Sequence, residues 1–312
     1  MEKSISSNNE EVNLNFYTAF LLVWKRKLLL LSITATFSFL SVIYALTLPN
    51  YYESSALLMQ KEGAEGNSML SQYSGLASIA GISLPGGKEE NKIDLAIAIL
   101  KSRSFLEDIS KEINNFSQIV MASKRYDEVT NTIIFDPKVY DSDKKEWTRK
   151  VKPPQKKEPS ILELHKVYNQ DVFSYYKDKE TGYITLSVEL ISPVHANEFL
   201  NKIISRLNDI SRQQALEEAQ KSLGFLQEEL SKTSQISIKD SISKLSDVEL
   251  NKKMMAAVNK DYLLKIIDPP YIPIFKSSPS RALICIIGFI LGVIVSLLYI
   301  LFLEFYKKRI SS

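Results

Sequence analysis

The chain has 312 residues, 45% of them hydrophobic and 24% charged, with a net charge of +3, two histidines and a single cysteine. So small a charge gives no footprint for nucleic acid, and one cysteine, Cys285, permits no internal disulfide. Two histidines and one cysteine also leave little for a metal site, and no ligand spacing surrounds them.

In chain order, residues 1–11 are polar, and the "VNLNFYTAFLLVWKRK" that follows is an amphipathic approach to a membrane, with Trp24 at interface level. From Leu28 to Leu48 no residue is charged, which predicts a first transmembrane helix. "YYESSALLMQ", from Tyr51, predicts a strand, and "GLASIAGISLPGG", from Gly75, a loop with short helical pieces. "NKIDLAIAILKSRSFLEDISKEI" places Ile93, Ile97, Leu100 and Ile109 near one helical face. The charged, proline-rich stretch from Asp136 to Pro159 predicts a surface loop anchored by few apolar side chains, Trp147 among them.

Ser160 and Glu163 form a capping box for a short helix through His165. "VFSYYKDKETGYITLSVEL" predicts a β-hairpin whose second strand points Ile184, Leu186, Val188 and Leu190 to one face. Ser192-Pro193 opens the longest helix, which runs to about Leu230 and is therefore ~57 Å long at 1.5 Å per residue. Leu216, Ala219, Leu223, Leu226 and Leu230 make an apolar stripe along its distal half. A second helix is predicted from about Ile238 to Tyr262, so 193–262 form an antiparallel hairpin. The hairpin is expected to project, with its stripe covered by neighbouring subunits.

"LLKIID" predicts a last strand, and "PPYIPIFKSSPSR" a stiff, extended strut over 269–279, because proline fixes φ and donates no hydrogen bond. Ser278-Pro279 is expected to cap the second uncharged run, with the transmembrane helix over 280–303. Gly288, Gly292 and Ser296 on that helix, and Thr34, Ser38, Ser41 and Ala45 on the first, are small faces suited to close packing, within one subunit or between subunits. Lys25, Arg26 and Lys27 before the first run, and Lys307, Lys308 and Arg309 after the second, predict cytoplasmic termini. The fold class expected is an integral membrane protein with two transmembrane helices (cytoplasmic 1–27 and 304–312). Residues 49–277 then form a far-side α+β base domain carrying the hairpin.

No G-x-S-x-G element or phosphate-binding glycine loop occurs, and the carboxylates lie among lysines. The expectation is assembly and binding, with no enzyme activity and no cofactor. Trp147, Tyr175 and Tyr176 are of the type that stacks on sugar rings, although packing is the commoner use of such aromatics.

Pro270, Pro273, Ser278 and Pro279 fit the pattern P-x2-P-x4-S-P, and Pro269 precedes it. The following basic residue, Arg281, is displaced by one position, and Gly288 and Gly292 follow. In this order, between two terminal spans, the chain resembles the Wzz-type polysaccharide co-polymerases, the chain length determinant family. The resemblance implies a Gram-negative inner-membrane protein with a periplasmic domain that forms a homo-oligomeric ring. It implies a partner polymerase in the membrane, contact with the lipid bilayer and with the glycan itself, and control of O-antigen or exopolysaccharide length in lipopolysaccharide biosynthesis. No Walker loop is present, so the resemblance is to members without a tyrosine-kinase domain. An adaptor for capsule or exopolysaccharide export, or a membrane activator of a tyrosine kinase, shares the two-span plan.

Overall fold

A computed structural model describes residues 24–61 and 89–310. The lead-in before Trp24 and the "GLASIAGISLPGG" segment lie outside the described residues. The chain divides into two compact units, residues 50–278 and the two terminal segments that flank them.

The terminal unit holds two helices, α1 (Lys27–Thr47) and a last helix that begins at Arg281 and ends at Ile310. Both are long and apolar enough to cross a membrane, over Lys27–Thr47 and Arg281–Leu303. Most of their large apolar side chains are exposed.

In the central unit the chain enters as β1 (Tyr52–Gln60). Helices α2 (Glu89–Leu100), α3 (Arg103–Glu112) and α4 (Phe116–Ala122) follow. The single helical stripe expected across 93–109 is thus split in two. Ser102 accepts a hydrogen bond from the Phe105 N–H at 3.2 Å and so caps a new helix start, yet Ile93, Ile97, Leu100 and Ile109 are all buried. Two small hairpins come next, β2 (Ser123–Asp127) with β3 (Thr132–Phe135), and β4 (Tyr140–Asp141) with β5 (Glu146–Trp147). The stretch expected to be plain loop therefore contains a hairpin, closed by Trp147 packing edge-on to Tyr140 with centroids 5.2 Å apart.

Helix α5 (Ile161–Val167) opens on the capping box, with both the Ser160 and the Glu163 halves formed. A π-helical turn, Tyr168–Val172, leads into β6 (Phe173–Lys177) and β7 (Ile184–Leu190). Helix α6 (Pro193–Lys232, 40 residues) is capped by Ser192, and α7 (Ile236–Val258) folds back along it. Strand β8 (Leu264–Asp268) completes an antiparallel sheet of order β6-β7-β1-β8.

Alternation explains the core. Ile184, Leu186, Val188 and Leu190 on β7, and Ala56 and Leu58 on β1, are all buried in one cluster. The cluster also holds Phe199, Leu200, Ile203, Ile204 and Leu207 of α6, which packs across β1 and β7. Each such aliphatic side chain contributes about 1.5–3 kcal/mol on burial, so the proximal half of α6 is what holds the sheet.

Candidate functional site

The strut begins where β8 stops. Strand β8 pairs with β1 from Gln60 back to Leu57, and Pro269 and Pro270 then end the ladder, since neither has an N–H to give. The segment beyond, expected from sequence to be a stiff extended strut, is also attached to β1. The Ser54 hydroxyl donates to the Tyr271 carbonyl at 2.8 Å. Further on, Tyr51 N–H donates to the Ser278 carbonyl and Ser277 N–H donates to the Tyr51 carbonyl, both at 2.9 Å. Ser277 Oγ lies 3.0 Å from that same carbonyl and 2.5 Å from Glu189 Oε1 on β7, donating to one acceptor at a time.

The expected helix start is corrected here. Ser278 was to cap the helix with Pro279 in its first turn, but its carbonyl is taken by Tyr51, and the proline after it holds it extended. Helix α8 (Arg281–Ile310) instead starts after Ser280, whose carbonyl accepts from Ile284 N–H at 3.2 Å. Pro273, an expected strut residue with no evident packing role, is buried, while Pro269 is exposed and Pro270 intermediate.

Beside the Tyr51–Ser278 pairing, a cleft of about 390 Å³ is lined by Tyr51, Gln170, Asp171, Glu189 and Ser278 among others. Burial raises the Tyr51 hydroxyl pKa, and the charges of Glu189 and Asp171 raise it further. The neighbouring Tyr52 hydroxyl donates to Glu128 Oε1 at 2.6 Å and is pushed up to about 12, mainly by burial and then by that bond. Both phenols therefore stay neutral donors. Among the described residues that line this cleft the ionisable groups are Tyr51, Asp171 and Glu189, with no histidine, lysine or cysteine.

In the terminal unit the small residues of the two helices meet. A Cβ on Gly288 would collide with the Ser41 side chain, and one on Gly292 would lie 2.9 Å from Phe37 Cβ and 3.1 Å from Thr34 Cα. The structure thus brings Gly288 and Gly292 against the face of Thr34, Phe37 and Ser41 in the same chain. Ala45, Thr34 and Ser296 are buried on these faces, and Ser38 is half-buried. Arg281 Nε donates to the Ala45 carbonyl at 3.1 Å. It satisfies a carbonyl in the last turn of α1, which has no basic residue of its own there.

On the hairpin, Ala219 is buried and Leu216, Leu223 and Leu226 are intermediate, while Leu230 is exposed. Much of the stripe is covered from within the chain, because α7 lies along it; Lys252 of α7 pairs with Glu218 of α6 at 3.2 Å. The apolar surface left open includes Phe225 and Leu230 of α6 and, on α7, Ile236, Leu245, Leu250 and Met254.

Of the aromatics, Trp147 is spent on Tyr140, whereas Tyr175 and Tyr176 are exposed on the edge strand β6, with Lys101 Nζ 5.0 Å from the Tyr175 ring centre. His165 Nε2 sits 2.7 Å from the Lys101 carbonyl, and His195 Nδ1 2.8 Å from the Ser192 hydroxyl. Both histidines brace helix ends. Among the described residues no group of three His, Cys, Asp or Glu side chains is placed to hold a metal ion.

Two polar residues matter that sequence reading passed over. Asn208, buried on α6, accepts from the N–H groups of Leu263 and Leu264 at 3.0 and 2.9 Å and donates to the Leu264 carbonyl at 3.0 Å. It pins the start of β8. Arg149 makes a two-pronged bond to Glu163, at 2.8 and 2.9 Å, and donates to the carbonyls of Lys156 and Lys157, tying the proline-rich stretch to α5. Glu163 is held down to about 2, chiefly by Arg149 and then by the Ser160 N–H. An amide inside an apolar stripe was the one local signal for Asn208; nothing local marks Arg149.

Residues 13–113 match the family model described as chain length determinant protein, Wzz. The chain thus carries a Wzz-type stretch that holds α1, β1, α2 and α3; the strut, the hairpin and α8 lie beyond it. No curated protein matches. Among solved structures, a full-length bacterial polysaccharide co-polymerase is similar at 12% identity and a TM-score of 0.38, over 96% of this chain and 99% of that one. A fragment of the polysaccharide co-polymerase WzzB from Salmonella Typhimurium is similar at 11% identity and a TM-score of 0.27, over 73% of this chain and all of that one.

Proposed function

We propose that this chain is a non-enzymatic regulator of polysaccharide length. It is a two-pass protein of the bacterial inner membrane with cytoplasmic termini and residues 49–277 in the periplasm. There it acts as an oligomeric scaffold beside the polymerase that extends a lipid-linked surface glycan. The match of residues 13–113 to the chain length determinant family carries this reading. The two apolar helices and the P-x2-P-x4-S-P pattern at Pro270–Pro279 support it.

In this reading the chain contributes geometry. Strand β1 follows the first span, the strut precedes the second, and the Tyr51–Ser278 pairing fastens one to the other within the domain. Subunits so fixed would present the polymerase with a surface of constant shape.

The test is removal of the gene and its return as parent or as Pro270→Gly. The surface polysaccharide is separated on a gel and the protein is blotted in parallel. Loss of a modal length on removal, and a shifted mode for Pro270→Gly at normal protein level, are expected. An unchanged length distribution on removal would overturn the proposal, and polymer of normal length retained inside the cell would favour the export reading instead.

A further inference from the structure

The register between β1 and the strut is uneven. From the Ser54–Tyr271 bond to the Tyr51–Ser278 pair, β1 advances three residues while the strut advances seven. Four residues of the strut are therefore in excess, and the chain must throw them outward. Tyr271 and Ile272 are each more than half exposed, and Ile274 and Phe275 are both 86% exposed. Pro273 between them is buried, so the loop turns about a fixed pivot, and Lys276, also exposed, ends it.

Water is a poor explanation for such a tip, since Tyr-Ile-Pro-Ile-Phe offers it little but apolar surface. Its place in the chain suggests what covers it. Both ends of the domain leave from this corner, at Asn50 and Ser278, and Tyr51 is held against Ser278. Tyr51 lies four residues past Thr47, which ends α1, and Phe275 lies six residues before Arg281, which begins α8. Fully extended, six residues span at most about 20 Å. The loop also suits an interface. Aromatic and aliphatic side chains followed by a lysine are what sits at headgroup depth. Pro269, Pro270 and Pro273 remove N–H groups that would otherwise need partners there.

We propose that the 271–276 loop is a membrane-interface anchor. Ile274 and Phe275 insert into the outer edge of the same bilayer that the two helices cross, with Lys276 at the phosphates. The inference rests on the reading that α1 and α8 span the membrane. It gives the base of the domain a second hold on lipid besides its two covalent connections.

The full-length chain, with Cys285→Ala, is reconstituted into vesicles of mixed neutral and anionic phospholipid. An environment-sensitive fluorophore is attached at Ile274→Cys or Phe275→Cys, with Val129→Cys, 91% exposed at the β2–β3 turn, as the aqueous control. Phe289→Cys, exposed on α8, controls for the span. The 274 and 275 labels should be quenched by nitroxides near the headgroup end of the acyl chain more than by those near its tip, and should resist aqueous iodide. If Phe289 is quenched by lipid but the 274 and 275 labels respond to iodide like Val129, the anchor is overturned and the span stands. Labels shielded from both iodide and lipid nitroxides would mean that protein covers the loop, which also overturns it. A Phe289 label untouched by lipid nitroxides would overturn the span and the anchor together.

Discussion

Replacing Asn208 with leucine isolates one buried polar contact. The two side chains share branching and heavy-atom count, and leucine is the bulkier, so the change removes hydrogen bonds without leaving a void. Two backbone N–H groups, of Leu263 and Leu264, lose their acceptor inside the core, and the Leu264 carbonyl loses a donor. Each buried donor left unmet costs about 1–3 kcal/mol, and the new aliphatic burial returns about 1.5–3 kcal/mol. At mid-range the two donors cost about 4 kcal/mol against a return of about 2 kcal/mol, so the net loss is about 2 kcal/mol, which for a domain of this size lowers the melting midpoint by roughly 4–8 °C. Thermal unfolding of the full chain in detergent measures it, with amide exchange at Leu263 and Leu264 as the local readout. Asp209→Ala, one position on and only partly buried, should stay within about 0.5 kcal/mol of the parent. If Asn208→Leu unfolds like the Asp209 variant, β8 is held by its ladder with β1 alone, and the role given to Asn208 is wrong.

Arg149→Met should lose about 1.5–3 kcal/mol, read by denaturant unfolding, because Glu163 and two carbonyls lose a charged donor. Glu163 is depressed when folded, so its contribution is fully present above the unfolded carboxylate range near pH 4.5 and is lost as pH falls toward about 2; the variant's acid transition should lack that component. Gly288→Leu has to push Ser41 away and should cost about 1–3 kcal/mol in heat-aggregation assays of the solubilised protein, whereas Phe289→Leu on the exposed face should be near neutral. If the chain assembles as proposed, Phe225→Glu, on surface the chain leaves open, should lower the mass read by light scattering with an unchanged melting point; Leu223→Glu, half-buried, should lower the melting point too.

What the sequence reveals here is what short-range rules control. The Ser160–Glu163 box, the Ser192-Pro193 helix start, the alternation of β7 and the two apolar runs each depend on residues within one or two turns of each other, and all are found. Ser102 is a local signal too, but an uninterrupted apolar stripe masks it. The β2–β3 hairpin escapes because "SKRYDEVTNTIIF" has weak alternation and no Asn-Gly type turn; Asn131 supplies the left-handed residue, at φ 52°. The candidate site is hardest to read. Its prolines are plain in the sequence, but the attachments of Ser278 to Tyr51 and Tyr271 to Ser54 join residues more than 200 positions apart. No local pattern encodes such a pairing, and it displaced the helix cap that local rules favoured.

That pairing has a mechanical meaning. Because Tyr51 and Ser278 are antiparallel and both lie at the point of exit, pulling the two exits sideways peels the strands open one hydrogen bond after another, while pulling along the strands loads several at once. Peeling is the weak direction. Once the terminal pair parts, the four surplus residues unfold as slack, roughly 13 Å of it at extended spacing. The load then passes to the Ser54–Tyr271 bond, and behind it to the β1–β8 ladder and Asn208. The length released comes from the strut alone, and Pro273, buried at its pivot, has to leave its packing before the slack runs out.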